Sequence, residues 1–201
     1  MAGKKTGLIV LIVIVGLLLI FIGSFRGCYN EMVTKDEAVS AAWSQVENVY
    51  QRRYDLIPNL VETVKGYAAH ESETLTAVTE ARARLGGQVN ITGDVLNDPA
   101  AFERFQQAQG ELSGALQRLM VVTENYPELK ANQNFLSLQD QLEGTENRIA
   151  VERQRFNDAA KVYNTLIRKF PQNIVAGMFG FNTRPYFASV TDASVAPAVR
   201  F

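Results

Sequence analysis

Large apolar residues recur every seven positions through most of this chain, and that spacing restricts its fold more than any other feature. Trp43, Tyr50, Ile57 and Val64 form one row, with Val39, Val46 and Leu60 in the row beside it. A second pair of rows follows: Phe105, Leu112, Leu119 and Tyr126, flanked by Ala108, Ala115 and Val122. The third is the longest, with Phe135, Leu142, Ile149, Phe156, Tyr163 and Phe170 accompanied by Leu138, Ala159 and Leu166. Seven residues make about two helical turns, so each row runs along one side of a helix and needs another helix to cover it. No strand-like alternation competes with this pattern. The expected fold is all-α, an antiparallel up-down bundle of three or four long helices with coiled-coil-like heptad packing.

Local punctuation supports the division. Residues 86–101, "GGQVNITGDVLNDPAA", are rich in Gly, Asn and Asp. At their end Asp98 can cap a new helix while Pro99 takes its first position, where no amide is needed. Pro127 in "ENYPEL" marks the next turn, and Phe170-Pro171 ends the last long helix. A further bend is expected near Gly66 and "AAHESE", with Glu71 or Ser72 opening the next helix.

The N-terminus indicates location. An uncharged apolar run extends from Gly7 to Phe25, about 28 Å of helix against a hydrocarbon thickness of about 30 Å. It is longer than the apolar centre of most cleaved signal peptides, and Phe25-Arg26-Gly27 makes a poor cleavage site. The run therefore reads as a retained single-pass membrane anchor. Lys4 and Lys5 before it favour a cytoplasmic N-terminus and a periplasmic or extracytoplasmic body. Gly27-Cys28 offers an alternative, lipidation of Cys28, for which Phe25 and Arg26 are ill-suited neighbours. The organisation expected is an anchor over residues 1–28, a helical bundle over 29–170 and an arm over 171–201. That arm is dense in aromatics, Phe179, Phe181, Tyr186, Phe187 and Phe201, and shows no helical period. It either packs on the bundle as an extended segment or contacts a neighbouring subunit, a partner or the bilayer surface.

The chemical inventory is thin. Net charge is -1 with no basic tract, which argues against nucleic acid as a partner. With Cys28 the only cysteine and His70 the only histidine, an intrachain disulfide, a cysteine zinc cage and any two-histidine metal motif are excluded. No cofactor motif is present. His70 beside Glu71, Ser72 and Glu73 could form an acid–base cluster, but a lone histidine among acids at a bend is more often a solvated or capping group. Ser44, Ser113 and Ser137 have no histidine nearby, so a triad fails.

One stretch breaks the apolar rows. In "QRRYDLIPNLV", residues 51–61, Arg53 occupies a row position and Pro58 stands inside a helix. Pro58 interrupts backbone hydrogen bonding; a kink that frees the Tyr54 carbonyl and a restart capped by Asp55 both fit. The last long helix carries its own polar strip, Glu146, Asn147, Arg153, Asn157 and Asn164, beside its row. Arg52, Arg53 and Asp55 are its natural complement, and the two sets are expected to meet as an ionic layer that fixes helix register. The alternative is two solvated faces that never meet.

These stretches also carry a resemblance. "AWSQVE" (42–47), "QRRYDLIPNLVETVKGYAAHE" (51–71), the long run from "ENYPELKANQNF" to "AGMFGF" (124–181) and the closing "APAVRF" resemble the bacterial LemA family. The resemblance implies a membrane-anchored helical bundle with no assigned catalytic activity. The function expected is a non-enzymatic scaffold or partner-docking module that self-associates. Its alternatives are a ligand- or lipid-binding accessory protein of the bacterial envelope and, more remotely, a hydrolase.

Overall fold

The computed structural model describes residues 2–68, 70–86 and 95–188. Among them all regular secondary structure is helical: α1 (Ala2–Lys65), α2 (Ser72–Gly86), α3 (Pro99–Thr123), α4 (Pro127–Lys130), α5 (Gln133–Arg168) and α6 (Gln172–Phe179). The expected breaks fall where the punctuation stands. The Asp98 side chain accepts from the Ala100 amide at 2.9 Å, and Pro99 opens α3. Turns at 66–67 and 124–125 follow α1 and α3.

The chain folds into two compact units, Met1–Ala41 with Ala159–Thr183, and Ala42–Asp158 with Arg184–Phe201. This division differs from the one read along the sequence, because both α1 and α5 contribute residues to each unit.

In the larger unit the directions of the four longer helices, α1, α2, α3 and α5, follow from their contacts. Trp43 of α1 meets Phe102 of α3 and Phe156 of α5, while Arg53 meets Gln109 and Glu146. Rising numbers on α1 therefore match rising numbers on α3 and falling numbers on α5. Tyr126 bonds Glu71 and Arg84 bonds Glu111, so α2 runs against α3. The order of α1, α2, α3 and α5 is up-down-up-down. Its apolar rows are inside: Trp43, Tyr50, Ile57 and Val64 are buried with Val46 and Leu60, as are Phe105, Leu112, Leu119, Phe135, Leu142, Ile149 and Phe156. Each such side chain contributes about 1.5–3 kcal/mol through removal from water.

In the smaller unit Met32, Val39, Ala160, Tyr163, Leu166 and Ile167 are buried along α1 and α5, together with Val175 and Ala176 of α6. Two expectations need correction here. Phe170 does not continue the α5 row: the helix ends at Arg168, and the ring is 80% exposed in the following turn. The segment after Pro171 is not wholly irregular, since residues 172–179 form α6. Its "NIVAGMF" sequence is apolar on every side, so no period marks it, and Gly180 closes it in the left-handed conformation (φ 75°) that glycine adopts without strain.

Among the described residues, one helix, α1, is long and apolar enough to cross a membrane. Its Leu11–Val15, Leu17–Ile20 and Ile22 side chains are all exposed.

Candidate functional site

Arg53 is the centre of the polar chemistry in the larger unit. It is 1% exposed, the largest fully buried side chain among the described residues, in a row otherwise made of Val39, Val46 and Leu60. Its Nη1 donates to Glu146 Oε1 and Ser113 Oγ, both at 2.8 Å, and Nη2 donates to the Gln109 side-chain oxygen. The guanidinium also stands 5.0 Å from the Tyr50 ring centroid. Its Nε has no acceptor among the described residues. Glu146 is itself 40% exposed, so water solvates the outer half of the pair. An isolated buried guanidinium is costly, and this arrangement lowers the cost with one carboxylate, two neutral acceptors and a ring face.

Burial pushes the Tyr50 hydroxyl above the usual phenol value of 10.0, against the charges of Arg153 and Arg53 and a hydrogen bond from Arg153. Tyr50 thus stays neutral beside the arginines. Together with Gln109, Ser113, Glu146 and Arg153, these residues line a cleft of about 380 Å³.

The other residues of the expected layer divide. Arg153 Nη2 donates to the Ala188 carbonyl at 3.1 Å, and its guanidinium lies 4.6 Å over the Phe187 ring. Asn157 binds the Phe187 backbone from both sides, accepting from its amide at 2.9 Å and donating to its carbonyl at 3.1 Å. Arg52, Asp55 and Asn147 take no part in the layer. All three are exposed, because side chains next to a buried row position, or two beyond it, point away around the helix. Asp55 accepts instead from Gln51, one turn back. Asn164 is buried in the smaller unit.

Pro58 neither ends α1 nor needs Asp55 to restart it. The carbonyl of Tyr54, which the missing proline amide leaves free, accepts from Arg82 Nε on α2 at 3.3 Å. The Arg82 guanidinium also lies 3.9 Å over the Tyr54 ring. A Cβ at Gly86 would stand 2.9 Å from the Tyr54 hydroxyl, so glycine permits this close approach of α2. The proline's cost is offset from a neighbouring helix rather than along its own.

Above the arginine, Trp43 is enclosed by aromatic rings. Phe105, Phe156 and Phe102 stand 5.4, 5.5 and 5.8 Å away, and Phe187 stacks on it at 6.0 Å. Phe187 comes from the C-terminal segment and is buried, so this ring of the expected contact tail is occupied within its own unit. Phe179 and Phe181 pack instead in the smaller unit, both against Tyr29. Tyr186 is exposed, and Phe201 lies outside the described residues.

The remaining candidates do not assemble into a site. His70 is exposed, while Glu71 accepts from the Tyr126 hydroxyl at 2.9 Å. Cys28 is a free, half-buried thiol inside α1. Gln109 and Ser113 lie one turn apart on α3; the sequence draws attention to Ser113 only as a serine without a histidine, and to Gln109 not at all. The available signal was a pair of polar residues flanking the apolar row position Leu112, but neither residue names its partner.

The LemA family model matches residues 42–201, the greater part of the chain. The chain belongs to the LemA family. It is 32% identical over 182 residues to "Magnetosome protein MamQ 2" of Paramagnetospirillum magneticum, covering 83% of this chain and 67% of that protein. It is 31% identical over 185 residues to "Magnetosome protein MamQ" of Magnetospirillum gryphiswaldense, with coverage of 85% and 68%. "Protein LemA" of Metamycoplasma hominis is 26% identical over 157 residues, covering 78% of this chain and 67% of that protein. The family match thus includes the Arg53 layer, the Pro58 neighbourhood and the Phe187 segment.

Proposed function

We propose that this LemA-family protein is a non-enzymatic, single-pass membrane protein of the bacterial inner membrane whose helical bundle acts as a self-associating scaffold or partner-docking module. The observation that carries the reading is the set of exposed apolar side chains on α1, Leu11–Val15, Leu17–Ile20 and Ile22, which water would penalise and a bilayer would cover. The use of polar side chains agrees with it. Arg53, Glu146, Arg153 and Asn157 are committed to holding helices and the tail, and no enzymatic activity forms part of the relatives' names. Lys4 and Lys5 favour a periplasmic body.

The test is extraction and native mass spectrometry from bacterial membranes. The reading expects the chain to sediment with membranes, resist alkaline carbonate, and run in mild detergent as a species of more than one copy. Release by carbonate contradicts the anchor; a strictly monomeric species contradicts the scaffold. A second reading rests on the polar cleft beside Arg53: an accessory protein that binds a small ligand there. It expects a bound small molecule to survive purification and to be lost in Arg153→Ala.

A further inference from the structure

The smaller unit presents an apolar surface of a different kind. On α6, Val175 and Ala176 are buried, whereas Ile174 and Met178, one turn apart on one side, are 53% and 67% exposed. Phe179 closes the helix and is also exposed. Its place relative to α1 is fixed by ring contacts. The Phe179 ring lies 6.0 Å from that of Phe25 and 4.8 Å from that of Tyr29, and Phe181 lies 5.7 Å from Tyr29. Phe25 ends the apolar run of α1, and Tyr29 is about 6 Å further along the helix. Phe179 is therefore level with the end of the hydrophobic run, the depth at which aromatic rings gather in membrane proteins. A cleft of about 210 Å³ between these rings is edged by Arg26, and Arg168 and Lys169 stand exposed just before α6.

We infer that α6 is an interfacial anchor: it lies at the headgroup level of the bilayer that α1 crosses and places Ile174, Met178 and Phe179 against the acyl chains. Arg26 and Lys169 supply cations at the level of the lipid phosphates. The inference rests on the membrane-anchor reading of α1, and it identifies a second attachment through which the bundle is held at the membrane by two points rather than one. A bilayer is the occupant favoured for this face because the face is continuous, ring against ring, with the end of the membrane-crossing run. An exposed apolar helix there is covered by lipid without any further protein.

The test uses the full chain in nanodiscs of phosphatidylcholine and phosphatidylglycerol, with Cys28→Ser removing the native thiol. Nitroxide labels are placed singly through Ile174→Cys, Met178→Cys, Leu18→Cys and Val121→Cys, and collision with oxygen and with a nickel chelate is measured. Leu18 reports the span, and Val121, exposed on α3, reports water. The expected result is that labels at 174 and 178 favour oxygen over nickel, like Leu18 and opposite to Val121. If 174 and 178 behave like Val121 while Leu18 favours oxygen, the inference is overturned and the α1 anchor stands. If Leu18 also favours nickel, the anchor reading itself fails. Exclusion of both reagents at 174 and 178 identifies a covering protein surface and equally overturns the lipid assignment.

Discussion

Trp43 and Arg53 share one helix and one buried side, yet they stabilise the larger unit by opposite means. Around Trp43 four rings gather, and ring pairs contribute about 0.5–1.5 kcal/mol beyond the area they bury. Such packing is strong but tolerant, since rings can slide and re-pack with modest loss. Around Arg53, apart from the Tyr50 ring face, the contacts are directed hydrogen bonds to single atoms: Glu146 Oε1, Ser113 Oγ and the Gln109 side-chain oxygen. A shift of one helix by a turn would leave the guanidinium buried without partners. We propose that the aromatic box supplies stability and that the arginine layer supplies the penalty for a wrong alignment.

The contrast yields graded expectations. Trp43→Ala removes the centre of the box and should cost about 3–5 kcal/mol in denaturant unfolding, the largest loss of any single change discussed. A loss below about 1 kcal/mol would mean that the rings do not form a packed core. Phe187→Ala should cost less, about 2–3 kcal/mol, because the segment carrying it can detach while the helices stay together. Its more specific effect is faster chymotryptic cleavage at Tyr186, and unchanged cleavage would show that Phe187 does not hold the segment. Asn157→Ala should act in the same direction by about 1–2 kcal/mol, through the two backbone bonds it makes to Phe187.

A smaller effect separates the polar layer from the box by pH. Tyr50 has a raised pKa in the folded state, so the folded chain keeps a proton that the unfolded chain has released. By linkage, its contribution is fully present below pH 10, the ordinary value, and is lost as pH rises through the raised one. Thermal melts between pH 9 and about 12 should therefore lose less stability in Tyr50→Phe than in the parent chain. Parallel alkaline losses in the two chains would show that Tyr50 ionises without regard to folding.

Much of this architecture is visible in the sequence because helix periodicity is local. Residues seven apart face the same way whatever surrounds them, so Trp43, Tyr50, Ile57 and Val64 could be assigned to one buried side, and Arg53 recognised as its exception. Asp98 and Pro99 are equally local, and the start of α3 follows from them. What stayed hidden depends on which helix stands next to which. Arg53 and Glu146 could be matched as opposite charges, but Gln109 and Ser113 needed α3 in place. The Tyr54 carbonyl could be expected to lose its partner to Pro58, whereas Arg82 as the replacement donor required α2. Arg52 and Asp55 were drawn into the layer by charge alone, although their positions on the helix turn them to solvent. The tail was the least legible part. Phe179 and Phe187 look alike along the chain, yet one packs beside Tyr29 and the other stacks on Trp43.

The most direct test of the account is a double-mutant cycle on the buried pair, using Glu146→Leu, Arg53→Met and both together, followed by denaturant unfolding. Glu146→Leu alone should cost about 2–4 kcal/mol, somewhat under the loss for a fully buried pair because Glu146 is partly solvated. The double variant, in which no charge remains buried, should recover at least about 1 kcal/mol of that loss. If the two changes instead add, so that the double variant is the least stable of the three, Arg53 and Glu146 are not energetically coupled, and the arginine layer does not set the alignment of these helices.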